Sequence, residues 1–147
     1  MNYIQKLGVI ICICIGFISN AQTDCQVDYT IYRTDYKNKD YESALKSWRK
    51  VFLNCPEYNK NTFLNGIKLY QDKMKQDKTS KIEYLDTLMM IYDRRIEFFG
   101  EKPYVLGLKG SDLLRYEPSR YVDAYQMLKI SIDSLGNSIL PNPVVSY

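Results

Sequence analysis

Residues 40–56, DYESALKSWRKVFLNCP, decide how this chain folds. Tyr41, Ala44, Leu45, Trp48, Val51, Phe52 and Cys55 recur at steps of three and four, which places them on one stripe of a 3.6-residue helix. Glu42, Lys46, Arg49 and Lys50 fall mostly off that stripe and suit water. Asp40 is placed to cap the helix start, because its carboxylate accepts a bond from an orphan backbone N–H. Asn54 and Pro56 close it, since proline cannot donate the next backbone bond and restrains the residue before it. Ala44 is small where a neighbouring helix must come close, and Trp48 is large where a gap must be filled.

The spacing recurs. Tyr116, Tyr121, Ala124 and Leu128 repeat the intervals of Tyr36, Tyr41, Ala44 and Trp48, with Gly136 in the place of the closing proline. Between them lies a looser unit, with Gly66 and Tyr70 in its first helix and Tyr84, Thr87 and Ile91 in its second. Tyr70 and Tyr84 are fourteen positions apart, against five in the outer two, so this unit carries nine extra residues that include the polar run Lys75 to Ser80. Six helices are predicted, over 25–37, 40–54, 59–75, 80–98, 104–116 and 119–135. In the fourth, Ile82, Leu85, Met89, Tyr92, Ile96 and Phe99 form the apolar stripe, and Gly100 is its C-terminal cap. Pro103 opens the fifth helix, and Pro118 or Ser119 the sixth. The fold class is all-α.

Tyr41, Ala44, Trp48 and Pro56 resemble the second helix of the tetratricopeptide repeat, a unit of roughly 34 residues with an aromatic late in its first helix and a closing proline in its second. Tyr36 stands in for the first-helix aromatic, one position late. Asp28 and Tyr32 depart from the family's tryptophan and glycine. The resemblance implies antiparallel hairpins stacked as a short solenoid of about six helices, the alternative being an ordinary helical bundle. In that family the first helices of successive repeats line a groove that binds peptides. Carried over by position, the groove face would comprise Tyr29, Arg33, Tyr36 and Lys37, then Phe63, Ile67 and Tyr70, then Lys109, Leu113 and Tyr116. Packing within each hairpin is the competing role for Tyr36, Tyr70 and Tyr116, leaving Tyr29, Arg33 and Lys109 as the surface candidates. The Lys and Asn clamp with which some relatives hold a terminal carboxylate is not evident.

Composition narrows the function. Hydrophobic residues make up 46% of the 147, enough to bury one small domain, assigned to 22–138. The formal charge of +3 is too small and too evenly spread for a nucleic-acid footprint. There is no histidine, so imidazole acid–base chemistry, His-based triads and His metal sites are excluded. No cofactor or metal cluster is predicted, and no enzymatic constellation emerges. Asp24 with Asp28, or Asp35 with Asp40, does not define a catalytic dyad. Gly107-Leu108-Lys109-Gly110-Ser111 lacks the spacing and preceding strand of a phosphate loop and reads as a close helix–helix contact. Asp93-Arg94-Arg95 with Glu97 is the densest charge cluster, read as a solvated face or an interhelix ion pair, with Asp112 a candidate partner for one arginine.

The ends carry the address. Lys6, the apolar run Leu7 to Ile18 and Ser19-Asn20-Ala21 read as a cleaved signal over 1–21, the run of twelve being short of the about 20 residues that span a bilayer. Cleavage leaves Cys25 and Cys55, at the start of the first helix and the end of the second, which are neighbours in an antiparallel hairpin. A disulfide is predicted there, the alternative being two buried thiols. Residues 139–147 form a tail where a further helix could begin. Together these features predict an exported scaffold of the periplasm, outer membrane or cell surface that binds a protein or peptide, with no transmembrane span after cleavage. The alternative is a helical carbohydrate-binding or nutrient-uptake component, for which the 14 tyrosines would serve sugar stacking.

Overall fold

The structure is a computed structural model that describes residues 24–136. The leader over 1–21 and the tail over 139–147 therefore lie outside the described residues. Every regular element described is helical, as predicted: α1 (24–37), α2 (Tyr41–Asn54), α3 (Asn61–Gln76), α4 (Lys81–Phe99), α5 (Lys102–Tyr116) and α6 (Tyr121–Leu135). One 3-10 turn, Pro118–Arg120, leads into α6, where the sequence suggests that the helix itself begins. Contacts gather into two compact units, one ending at Tyr58 and the other starting at Asn59.

The first unit is the hairpin of α1 and α2. Lys39 turns the chain with φ 63°, and Asp40 caps α2 by accepting the backbone N–H of Ser43 at 3.2 Å. The stripe of α2 is buried as the periodicity requires: Ala44, Leu45, Trp48, Val51 and Phe52. Trp48 stacks on Phe52 at 4.7 Å between ring centroids, and Tyr32 of α1 is fully buried. The Cys25–Cys55 disulfide joins the outer ends of the two helices, with the Cα atoms 5.8 Å apart.

The second unit is two hairpins in succession, with α3 packed on α4, α4 on α5, and α5 on α6. Asp77 makes the turn between α3 and α4 by accepting the N–H groups of Thr79 and Ser80. The extra residues of this middle repeat lengthen the two helices beyond Tyr70 and before Tyr84, whose rings meet edge to face at 6.2 Å. Gly100 ends α4 at φ 69°, a conformation that favours glycine. Pro103 lies in the first turn of α5, where its missing N–H costs nothing.

Two details differ from the sequence reading. In α4, Ile82 is exposed while Leu88, Ile91 and Arg95 join the buried set, because α4 is flanked by α3 and α5 and needs more than one stripe. Tyr121, the counterpart of Tyr41, is also exposed, although Ala124 is as fully buried as Ala44. The close contact expected of the Gly107–Ser111 segment is present at Gly110. A Cβ there would lie 3.0 Å from the carbonyl oxygen of Ala124 and 3.0 Å from Leu128.

Candidate protein-binding face

In the first unit the candidate residues follow α1. Tyr29 is half-buried, its ring 5.1 Å from Tyr32 and 5.2 Å from Tyr58. Tyr36 lies 5.6 Å from Tyr41, and burial raises its phenol pKa. Arg33 is half-buried and Lys37 exposed, one turn apart. Packing against aromatic neighbours thus takes much of both tyrosine rings and leaves the two cations as the polar part of this face. Beside the disulfide an open depression is lined by Asp24, Asp28, Lys50 and Asn54, with Lys50 bonded to Asp28 at 3.3 Å.

In the second unit, five of the proposed groove residues are interior. Phe63 is 0% exposed and packs edge to face on Phe99 at 5.6 Å and parallel to Phe98 at 6.4 Å. Tyr70 is buried against Tyr84. Lys109, a surface candidate by sequence, is only 8% exposed, and its ammonium reaches Asp93. Ile67 and Leu113 are likewise buried, and Tyr116 is half-buried with its pKa raised by that burial. The cause is packing: Phe63 and Tyr70 of α3 lie on α4, and α5 meets both α4 and α6, so positions that would face a groove in an open row are taken.

Two polar constellations hold α3 and α5 together, and neither is marked by local spacing. Glu101, the N-cap position of α5 at φ 56°, accepts from Lys60, the N-cap position of α3, at 3.2 and 3.3 Å and from Arg95 at 2.9 Å. The Arg95 and Lys60 bonds hold its carboxyl below the usual range, and Arg95 also lies over the Tyr104 ring at 5.7 Å. Farther along, Asp112 is 4% exposed and accepts from Gln71 at 2.7 Å and from the Tyr92 hydroxyl at 2.8 Å. Burial and the Asp112 charge push the Tyr92 phenol pKa strongly up, so it remains a donor. Arg115 is the cation beside Asp112, at 3.6 Å. The sequence had suggested an arginine of the 93–97 cluster, but Arg95 serves Glu101 and Arg94 lies over Phe98 at 5.2 Å.

Both cross-helix bonds, Lys60–Glu101 and Gln71–Asp112, join residues 41 apart in sequence. Equal separations at two points along the pair mean that α3 and α5 run parallel and in step. Parallel first helices are the arrangement that a row of like hairpins produces. Among the described residues no three His, Cys, Asp or Glu side chains gather as metal ligands, and no helix is long and apolar enough to cross a membrane. No protein-family model matches the chain, and neither a curated protein nor a solved structure does.

Proposed function

We propose that this chain is an exported, non-enzymatic scaffold that binds another protein along a tetratricopeptide-like face made by the first helices of its hairpins. The observation that carries the reading is the parallel pairing of α3 and α5 at a constant separation of 41 residues, which sets two first helices side by side with one flank open. The Cys25–Cys55 bridge favours an oxidising compartment, so the periplasm, the outer membrane or the cell surface is the proposed location and an envelope complex the proposed setting. The test is photo-cross-linking of the full chain to envelope protein, with the linked residues mapped by mass spectrometry. The reading expects links on the first helices of each unit, α1 in one and α3 and α5 in the other, with those on α1 reduced by Arg33→Ala with Lys37→Ala. A well-folded chain that links to nothing, or only through other helices, overturns it.

A second reading, as a carbohydrate-binding component, draws support from Tyr121 and Tyr125, both exposed and one turn apart on α6. Titration calorimetry with envelope oligosaccharides tests it. Heat that disappears in Tyr121→Ala with Tyr125→Ala supports sugar stacking, and no heat from the unaltered chain removes it.

A further inference from the structure

The two bonds between α3 and α5 fix more than the helix direction, because they fix which sides of the helices face outward together. An α-helix turns about 100° per residue. On α3, Leu64, Lys75 and Lys68 therefore lie roughly 20°, 40° and 60° from Gln71 in the direction of winding. On α5, Leu108 and Arg115 lie roughly 40° and 60° from Asp112 in the opposite direction. Gln71 and Asp112 point at each other across the seam. For two parallel helices of the same hand, a positive rotation from the seam on one and a negative rotation on the other reach the same flank. The accessibilities agree: Lys68, Lys75 and Arg115 are exposed, and Leu64 and Leu108 are half-exposed.

The charge of this flank is predominantly positive. Lys68 and Lys75 have no ion-pair partner among the described residues. Arg115 approaches Asp112 at 3.6 Å and hydrogen-bonds the Tyr116 side chain, and the other Asp112 oxygen already takes Gln71 and Tyr92. Two carboxylates lie near the flank: Asp112 is buried beneath it, and the half-buried Asp72, which accepts from the neutral Gln76 amide at 2.6 Å, keeps its charge one turn from Lys68 and from Lys75. Counting by the 41-residue offset, Lys75 stands level with Tyr116 and so beside Arg115, and Lys68 lies about two turns, roughly 10 Å, nearer the helix starts. Three cations thus frame two leucines on a surface that two polar clamps span.

We propose that this flank of α3 and α5 is the docking surface for an acidic peptide segment, whose carboxylates pair with Lys68, Lys75 and Arg115 while apolar side chains rest on Leu64 and Leu108. The proposal rests on the scaffold reading and names the partner's chemistry. Its energetic logic is complementarity: an excess of cations, of which Lys68 and Lys75 have no ion-pair partner among the described residues, steers and selects an acidic segment and rejects a basic one.

The experiment is fluorescence anisotropy on the full chain with a labelled synthetic peptide of repeated Glu-Glu-Leu, beside its Lys-Lys-Leu counterpart. The acidic peptide is expected to bind and the basic one not. Raising salt from low to physiological strength should weaken binding severalfold, and Lys68→Glu with Lys75→Glu should weaken it by about tenfold or more. That pair avoids Arg115, so the Asp112 cluster stays intact, and an unchanged circular-dichroism melt verifies the fold. Equal binding of the two peptides, no binding of the acidic peptide, or unaltered affinity in the double variant overturns the proposal. Cross-linking separates this failure from failure of the scaffold reading. An envelope protein that still links to α3 and α5 of the double variant leaves the scaffold standing and removes the acidic partner.

Discussion

Gln71 of α3 donates a 2.7 Å hydrogen bond to Asp112 of α5, and the same carboxylate oxygen accepts the Tyr92 hydroxyl of α4 at 2.8 Å. One buried carboxylate therefore ties together three helices of the second unit. A buried charge is tolerated only when its hydrogen bonds are made. Here both donors come from the α3–α4 hairpin and the acceptor from α5 of the next, so the network specifies how those hairpins meet.

Asp112→Ala should lower the stability of the second unit by about 3 kcal/mol, because it leaves a buried phenol and an amide without their acceptor. Tyr92→Phe alone should cost less, and in the Asp112→Ala background it should cost almost nothing. Urea denaturation of both single variants and the double variant measures this coupling. Strictly additive losses would show that the hydroxyl and the carboxylate act independently.

The parts of this architecture that lie within one turn or one stripe were legible in the sequence. The Asp40 cap, the Trp48 stripe, the Gly100 stop and the Cys25–Cys55 pairing all follow from intervals inside a single hairpin or a single helix end. Packing of Tyr70 within its own hairpin was legible too, but the roles of Phe63 and Lys109 were not. Periodicity tells which side of a helix is apolar but not how many neighbours the helix has, and α5 is enclosed enough to bury Lys109. The Asp112 and Glu101 clamps were illegible for another reason. Their separation of 41 depends on how the extra residues of the middle repeat divide between α3, α4 and the turn at Asp77. The basic flank inherits that dependence, since Lys68 and Arg115 share a surface only at this register.

Reduction of the Cys25–Cys55 bridge should destabilise the first unit. The bond closes a loop with a sequence separation of 30, worth about 3–4 kcal/mol in the chain-entropy account. Trp48, the chain's one tryptophan, is buried on α2 and reports directly on this unit. Its fluorescence in a urea titration should shift to a lower midpoint with reductant present. An identical midpoint would mean that α1 and α2 are held by packing alone.

Gly110→Ala should destabilise the second unit by about 1–3 kcal/mol through overpacking. The new methyl would meet a backbone oxygen of Ala124 at 3.0 Å, and a backbone atom cannot swing aside as a side-chain end can. Hydrogen exchange should show α5 and α6 losing protection more than α3. A variant as stable as the parent would indicate that α6 can retreat without cost.

Glu101 gives the second unit an acid-sensitive joint. Its folded pKa is lowered, first by the Arg95 bond and then by the Lys60 bond, so the folded state binds its proton less readily than the unfolded chain does. The stabilisation is therefore complete above the unfolded glutamate pKa of about 4.3 and is lost as pH falls through the lower folded value. Protonation would strip the charge from the partner of Arg95, a guanidinium only 4% exposed. Glu101→Gln should accordingly melt at a lower temperature than the parent at neutral pH. The two melting curves should converge as the pH is taken down through the lowered folded pKa of Glu101, because the parent then carries a neutral side chain at the same position. Thermal melts followed by circular dichroism across that range decide the matter. A gap between the two proteins that stays constant at all pH values would show that the Glu101 charge contributes nothing to the joint.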